Sequence, residues 1–352
     1  MKPHYWRMAA ALVLLNTIFS GCSNEGLTAE LREPAAAPAN AEVEILPPAP
    51  ADVAQPEGEE IGGYDGLETR ALAAGIALED WMAALPDSTS IAGLSIPGTH
   101  DSAALVEPIS GIAKCQNLSL ADQLRIGVRF LDIRCRHIGN GFAIHHGQIY
   151  QRMNFDEVLQ VAKSFLAHHP GEVVVMSVKE EYNPTDNTRT FEQTFDTFLA
   201  SYEGLWATGN TIPSLGQVRG KIVLLRRFPA SSTPKGIYAS GWHDNATFDV
   251  SVPGGKLRIQ DQYVVPDNNG KWANITNLFN EATSPSPTTL YLNFTSGYKD
   301  LLFGIPSITT VSNGINPRIS DYFSNNTRGR FGVVIMDFVD LGKSSLIVDT
   351  NF

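Results

Sequence analysis

A histidine and an aspartate stand side by side where an apolar run of the chain ends. In residues 95–105, SIPGTHDSAAL, the run breaks at Pro97 and Gly98 and is followed by His100 and Asp101. An imidazole takes up and returns protons near neutral pH, and a neighbouring carboxylate fixes its tautomer and stabilises its charged form. The pair therefore predicts acid–base chemistry at the end of a buried strand.

Other apolar runs end in similar residues, and the alternation of side chains along a strand decides which of them share a face. In LDIRC, Asp132 and Arg134 share one face. In AIHHG, His146 lies with Ile144, whereas His145 faces the other way. Further strand ends add Lys179 and Glu181 in MSVKEEY, Asp261 and Tyr263 in RIQDQY, and Asp337 in VVIMDF. Two imidazoles, planar guanidinium donors and carboxylates at a common mouth are typical of phosphate chemistry.

Short apolar runs rich in β-branched residues recur from about residue 86 and must position these groups. They read IAGLSIPGTHD, VRFLDIRCR, EVVVMSVKEEY, KIVLLRRF, LRIQDQYVV, TLYLNFTS and FGVVIMDFV. Runs that are apolar throughout are typical of parallel strands buried on both faces, and NFDEVLQVAKSFLAHHPGE between two of them has helical spacing. We therefore predict an α/β fold, a (β/α) TIM-type barrel, with its chemistry at the C-terminal ends of the strands.

Two features predict that this barrel is irregular. No eighth strand is readable in the sequence. In addition, FAIHHG follows DIRCR too closely for a parallel crossover, so we expect the two segments to form a hairpin.

The N-terminal residues have the layout of an export signal. Basic residues precede an apolar run at residues 8–19, which is too short to span a bilayer and ends in FSGC, similar to a bacterial lipoprotein box. We expect an exported protein anchored in the cell envelope through lipid on Cys22. Ordinary signal cleavage, giving a secreted protein, is the alternative.

The rest of the chain divides by composition. Residues 23–62 are rich in Ala, Pro and Glu and predict an extended tether, because they hold too little apolar surface to fold. Residues 1–22 are predicted as the signal peptide with its lipobox. Residues 63–352 are predicted as a single catalytic domain whose motifs occupy residues 86–345.

Charge and cysteine content restrict the partners and the redox state. A formal net charge of −11 argues against nucleic-acid binding, which needs a basic face. If Cys22 carries lipid, Cys115 and Cys135 remain in a compartment that permits disulfides. The sequence leaves open whether these two residues are bridged or are separate buried thiols.

The motifs resemble those of bacterial phosphatidylinositol-specific phospholipase C. SIPGTHDSA, FLDIRCR, IHHG, MSVKEEY, GKIVLLRRF, QDQY and VVIMDF occur in the order and spacing of that family. The resemblance implies a lyase that cleaves phosphatidylinositol at a membrane interface by attack of the inositol 2-hydroxyl on phosphorus. The products would be diacylglycerol and inositol 1,2-cyclic phosphate, and neither a cofactor nor an obligate protein partner is implied.

The resemblance also implies roles for single residues. His100 resembles the general base, Asp337 the carboxylate that orients it, and His146 the general acid. Arg134, with Asp101 beside it, resembles the donor to the phosphate oxygens. The predicted substrate contacts are Lys179, Arg227 and Asp261 at inositol-hydroxyl positions, Tyr263 as the ring that stacks on the sugar, and Glu181.

Several alternatives stay open at this point. Calcium-dependent relatives carry a carboxylate where this chain has Arg134, so we expect a metal-free site. A glycerophosphodiesterase-like hydrolase and a catalytically silent protein that binds inositol lipids or sugars are the rival functions. Whether the substrate is free or glycosylated phosphatidylinositol is not decided.

Apolar loop residues are candidates for contact with lipid. SGYKDLLFGIPSI, residues 296–308, holds Leu301, Leu302 and Phe303 between turn formers, and Trp242 and Trp272 are expected in other loops near strand ends. Such residues either enter the membrane interface or are buried at the barrel rim.

Overall fold

The computed structural model describes residues 75–352 apart from residues 285 and 287. The predicted signal peptide, the tether and Cys22 lie outside the described residues. None of the helices in the described ranges is long and apolar enough to cross a membrane.

Fourteen strands and seven α-helices occur in the described residues. The strands are β1 Ser95–Thr99, β2 Phe130–Ile138, β3 Gly141–His146, β4 Ile149–Asn154, β5 Val173–Glu180, β6 Trp206–Ala207, β7 Lys221–Arg227, β8 Ile237–Tyr238, β9 Ala246–Val252, β10 Gly255–Asp261, β11 Thr289–Phe294, β12 Lys299–Asp300, β13 Pro306–Ser307 and β14 Gly332–Met336. The α-helices are α1 Leu120–Arg125, α2 Phe155–His168, α3 Phe191–Ser201, α4 Leu215–Val218, α5 Asn268–Thr283, α6 Ile308–Asn325 and α7 Leu341–Asp349. Short 3-10 helices lie at Leu78–Asp80, Ile91–Gly93 and Leu302–Gly304.

Parallel strands form the wall of an irregular barrel. Seven of them follow the order β7, β5, β2, β1, β14, β11 and β10. The two-residue strands β6 and β8 both pair parallel with the other edge of β7, and β9 pairs antiparallel with the free edge of β10. Among the described strands, no ladder joins β8 to β9 or β10, so the hydrogen-bonded wall is interrupted there. All seven strands predicted from the apolar runs are confirmed, as is the barrel.

Two departures from a regular barrel have local causes. The eighth position of the wall holds only the two-residue strands β6 and β8, which are too short to produce a readable pattern. The predicted hairpin is confirmed, because β3 pairs antiparallel with β2. His146, the last residue of β3, therefore reaches the mouth on a strand that is not part of the barrel wall.

The strands are apolar throughout because both of their faces are covered. One buried cluster, including Ile96, Leu225 and Val333, fills the barrel interior. A second, including Leu131 and Val334, lies between the strands and the helices. Towards the C-terminal ends the interior face becomes polar, since Arg134, Arg227, Asp261 and Asp337 follow the parity of the interior residues.

A buried ion pair closes the opposite, N-terminal end of the barrel. Arg129 Nε lies 2.7 Å from Glu172 Oε2, and both side chains are fully buried. The guanidinium also donates to the carbonyls of Leu78 and Glu79, and Glu172 accepts from the backbone N–H of Ala83. The pair thus fastens the segment before β1 across the bottom of the barrel.

The two cysteines of the described residues are separate thiols. Cys115 and Cys135 are both buried and unbridged. This decides the question that the sequence left open.

Candidate active site

A pocket of about 750 Å³ opens at the C-terminal ends of the barrel strands. Seven of the ten predicted site residues line it: His100, Arg134, His146, Lys179, Arg227, Asp261 and Tyr263. The other three, Asp101, Glu181 and Asp337, are buried behind this lining. The structure thus brings the predicted residues together as a lining and a supporting layer.

His100, which follows β1, is held at both ring nitrogens. Its Nδ1 lies 2.8 Å from Asp337 Oδ1, and its Nε2 lies 2.7 Å from Arg134 Nη2. Because a guanidinium has no acceptor, Nε2 accepts from Arg134 and the ring proton sits on Nδ1, where it is donated to Asp337. Burial has the largest effect on the pKa of His100 and lowers it, and Arg134 lowers it further. The charge and hydrogen bond of Asp337, together with the charge of Asp132, outweigh these effects, so the pKa is raised. The ring is therefore a neutral base with a strengthened affinity for a proton.

Arg134 is fixed by Asp132 on the same face of β2. Its Nε donates to Asp132 Oδ2 at 3.1 Å, and Arg227 Nη1 donates to Asp132 Oδ1 at 3.4 Å. Burial alone would raise the pKa of Asp132, but the two guanidinium groups hold it well below its usual range. Asp132 is thus a permanent anion that orients two cations at the pocket floor.

His146 and Asp101 form a second pair across the floor. His146 Nε2 lies 4.0 Å from Asp101 Oδ2. Burial raises the pKa of Asp101 to about 7, with Arg134 opposing the rise. Burial and the charge of Arg134 lower the pKa of His146 to about 3. In the substrate-free protein a proton shared by this pair therefore resides on the carboxyl group.

Glu181 supports the lining from behind. Its Oε2 lies 3.0 Å from Lys179 Nζ, and its Oε1 accepts from the backbone N–H of Gly147 at 3.0 Å. Burial opposes ionisation, but the charges of Lys179 and Arg134 lower the pKa of Glu181 to about 2. Glu181 thus holds Lys179 and the turn after His146, and the pocket lining does not include it.

The far wall of the pocket contains residues that the sequence reasoning did not assign to the site. The guanidinium carbon of Arg227 lies 3.7 Å above the ring of Trp242, and the indole N–H donates to Asp261 Oδ2 at 2.9 Å. Tyr263 donates from its hydroxyl to Asp244 Oδ1 at 2.5 Å. The further lining residues are Ile112, His243, Gly297, Tyr298, Pro306 and Ile308. Most of these lie in loops, where no periodicity indicates which side chains face inward.

The loop predictions have mixed outcomes. Leu301 and Leu302 are 46% and 82% exposed, so these two residues are not buried at the barrel rim. Trp242 lies in the pocket wall rather than on the outer surface. The prediction for Trp272 is wrong, because this residue lies in α5 and its ring packs against Tyr322 of α6 at 6.0 Å.

Known proteins share the sequence and the fold. A family model of the phosphatidylinositol-specific phospholipase C X domain matches residues 95–228. The 1-phosphatidylinositol phosphodiesterase of Staphylococcus aureus is 34% identical over 279 residues, which cover 74% of this chain and 88% of that protein. The protein of the same name from Listeria monocytogenes is 29% identical over 287 residues, which cover 78% of this chain and 86% of that protein.

Solved structures agree with these matches. A crystal structure of the phosphatidylinositol-specific phospholipase C of Staphylococcus aureus has a TM-score of 0.72 and 32% identity, covering 78% of this chain and 98% of that one. The corresponding enzyme of Listeria monocytogenes has a TM-score of 0.66 and 28% identity, covering 78% of this chain and 99% of that one. The chain therefore belongs to the phosphatidylinositol-specific phospholipase C family.

Proposed function

We propose that this protein cleaves phosphatidylinositol by attack of the inositol 2-hydroxyl on phosphorus, releasing diacylglycerol and inositol 1,2-cyclic phosphate. The observation that carries the proposal is the position of His100 between Asp337 and Arg134, with a second imidazole, His146, in the same pocket. One pocket thus offers a general base, a general acid and a guanidinium that can donate hydrogen bonds to the phosphate. The names of the relatives support the same chemistry.

The first half of the reaction uses His100 and Arg134. The 2-hydroxyl gives its proton to His100 Nε2 while its oxygen forms a bond to phosphorus, and Asp337 stabilises the imidazolium. Arg134 Nη2 must first move away from His100 Nε2, because a protonated Nε2 is itself a donor and cannot accept a hydrogen bond from the guanidinium. The released guanidinium is in place to donate to the non-bridging phosphate oxygens, where negative charge develops.

The second half uses His146 and Asp101. As the bond between phosphorus and the glycerol oxygen breaks, that oxygen takes a proton from the His146–Asp101 pair and diacylglycerol departs. Slow opening of the cyclic phosphate by water runs the same groups in reverse, with His146 as base and His100 as acid.

The remaining lining residues bind the inositol ring. Lys179 and Asp261 offer a donor and an acceptor to its hydroxyl groups, and Arg227 is held flat by Trp242. The ring of Tyr263 lies 6.0 Å from that of Tyr298 and offers an apolar face to the sugar. Polar groups around an aromatic platform are typical of a polyol site.

Product analysis separates this proposal from its rivals. We expect a phosphorus NMR time course with phosphatidylinositol vesicles to show the five-membered cyclic phosphate before any linear inositol phosphate, and phosphatidylcholine vesicles to stay intact. A linear phosphate as the first product would indicate a glycerophosphodiesterase-like hydrolase. Binding without turnover would indicate a silent inositol-lipid binding protein. Running a glycosylated analogue in parallel shows which form of the lipid is preferred.

Arg134 supports a reaction without a metal. Its forked donors meet phosphate without the dehydration cost of a cation. We expect cleavage to persist in excess chelator, and Arg134→Ala to lose roughly 10²–10³ in turnover, as for removal of one preorganised donor. Arg134→Lys, which keeps the charge but not the forked donors, is the matched control. Its turnover should lie between those of the wild type and Arg134→Ala. Loss of activity in chelator, restored by calcium, together with a nearly neutral Arg134→Ala, would instead indicate a cation near Asp132 and Glu181.

We infer that the protein is exported and anchored through Cys22. The support is the FSGC sequence at the end of the signal-like segment. Mass spectrometry of the mature chain should find acyl groups on residue 22, and Cys22→Ser should move the protein from the membrane fraction to the aqueous fraction. A mature wild-type chain without an acyl mass at residue 22 contradicts the anchor.

A further inference from the structure

A buried thiol that the proposed reaction does not use lies under both histidines. Cys115 Sγ is within 4.8 Å of ligand atoms of His100 and Asp337, and also of Asp101 and His146. The thiol donates one long hydrogen bond, to the carbonyl of Ala113 at 3.6 Å. Because that contact is weak, the sulfur is available for a stronger partner.

The two groups of ligand atoms around Cys115 differ in their readiness to bind. His100 and Asp337 already share a hydrogen bond of 2.8 Å, which an ion would have to break. Asp101, in contrast, is fully buried, and neither of its carboxylate oxygens accepts a hydrogen bond from its side-chain or backbone neighbours in the described residues. A buried carboxylate without donors is costly and gains most from a cation. The group with Asp101 is therefore the better site.

The donor atoms of this group suit a thiophilic divalent ion. Zinc binds thiolate, imidazole and carboxylate at about 2.0–2.3 Å, so its neighbouring ligand atoms lie roughly 3–4 Å apart. The three atoms here lie within 4.8 Å of one another and need only a small contraction.

The charges around the floor tolerate a dication. Arg134 Nε lies 3.8 Å from Asp101 Oδ2 and opposes a cation. Acidic side chains nevertheless outnumber the permanent cations in and behind the lining, with Asp101, Asp132, Glu181, Asp244, Asp261 and Asp337 against Arg134, Lys179 and Arg227. On binding, the ion would displace the protons of the thiol and of Asp101, so that both ligands become anionic.

We propose that the pocket floor is a zinc-type metal site formed by Asp101, Cys115 and His146, with its fourth position toward the pocket, and that the bound ion inhibits the enzyme. The ion occupies His146 Nε2 and the carboxylate of Asp101, so the pair no longer delivers a proton to the leaving oxygen. Only the inhibitory consequence rests on the proposed function. The binding site stands on its own geometry.

Cobalt spectroscopy tests the binding without any substrate. The mature protein, stripped with chelator and then titrated with Co²⁺, should develop a thiolate-to-cobalt charge-transfer band and strong tetrahedral d–d bands, and Zn²⁺ should bleach both. Cys115→Ala should lack the charge-transfer band, and Cys115→Ser guards against a folding defect in the alanine variant. Cys135→Ala, which removes the other buried thiol, should keep it. No band in the wild type, or a band that survives in the folded Cys115 variants, overturns the site.

Inhibition is measured on the same proteins. Zn²⁺ should inhibit the wild type and Cys135→Ala alike, whereas Cys115→Ala should need at least about tenfold more Zn²⁺, since loss of even a supporting group costs roughly 10–100-fold in metal affinity. In the presence of chelator the wild type, Cys115→Ala and Cys135→Ala should cleave phosphatidylinositol at similar rates. Mg²⁺ should not inhibit any of them. Equal zinc sensitivity of wild type and Cys115→Ala overturns the inhibitory role. A wild type without any lipase activity refutes the proposed function, while the cobalt spectra still decide the site.

Discussion

Two imidazoles lie in one pocket, and their surroundings set them to opposite tasks. Asp337 raises the proton affinity of His100, whereas burial beside Arg134 lowers that of His146 and leaves the proton of the second pair on Asp101. Environments that separate the pKa values of neighbouring groups are how one site holds both an acid and a base at the same pH. These neighbours support the proposed assignment of His100 as the base and of the His146–Asp101 pair as the acid.

Removing either imidazole should therefore stop the reaction at a different bond. We expect His100→Ala and His146→Ala each to lose on the order of 10²–10⁴ in turnover while the fold survives, as is typical for loss of a general base or acid. His145→Ala is the matched control, because His145 lies outside the pocket lining. The turnover of this variant should change little. If His100→Ala and His146→Ala both keep more than about a tenth of the wild-type turnover, far above the level that these losses imply, the proposed roles of the two histidines are wrong.

The pH profile should be a narrow bell near neutrality. The rate falls as the pH drops through the raised pKa of His100, because the base becomes protonated. It also falls as the pH rises past about 7, because the Asp101–His146 pair then loses its proton. Asp101→Asn should keep the acid limb and lose or displace the alkaline limb. An unchanged alkaline limb in this variant would show that another group titrates there.

At the scale of elements, the most consequential contact is the Arg129–Glu172 pair under the barrel. Glu172→Gln leaves a buried guanidinium without its counter-charge, so we expect a loss of about 3–5 kcal/mol in the free energy of unfolding. Glu281→Gln is the matched control. Glu281 pairs with Arg258 through two hydrogen bonds but is 43% exposed, and its loss should cost at most about 1 kcal/mol.

Urea unfolding measures the change in the free energy of unfolding for both variants. The rate of phosphatidylinositol cleavage per folded molecule should stay the same, because the Arg129–Glu172 pair lies at the end of the barrel opposite the pocket. Similar losses for the two variants would contradict the importance of burial. A changed rate per folded molecule would show that the bottom of the barrel communicates with the site.

The elements also show where sequence reasoning stops. Seven strands were predictable because each is long enough for both of its buried faces to be read, whereas β8 has two residues and carries no pattern. Parity placed Arg134, Asp261 and Asp337 on the interior face. It does not extend to loops, and so the partners Trp242 and Asp244 and the position of Cys115 under the histidines were not predictable. Loops lack a period that relates spacing to direction.

For the whole molecule, charge and apolar exposure give opposite expectations for contact with lipid. The net charge of −11 repels an anionic membrane, so binding must come from apolar residues such as Leu302 in the exposed loop. We expect added salt to leave binding to phosphatidylinositol vesicles unchanged or stronger, because it screens repulsion. Leu302→Ser should weaken binding roughly 10- to 100-fold, given about 1.5–3 kcal/mol for burying a leucine. Tyr150→Ser, at an exposed residue outside this loop, is the control and should bind like the wild type. A steep loss of binding with added salt would show that charge, and not apolar contact, holds the protein on the vesicle.

In the proposed reaction the inositol 2-hydroxyl, activated by His100, is the nucleophile. The most direct test is the rate of diacylglycerol release from phosphatidylinositol whose 2-hydroxyl is methylated, compared with the unmodified lipid in the same vesicles. We expect the methylated lipid to occupy the site and to inhibit competitively but to release no diacylglycerol, because its 2-oxygen has no proton for His100 to take. Release at a rate comparable to that of the unmodified lipid would show that water attacks phosphorus directly, and would contradict the mechanism.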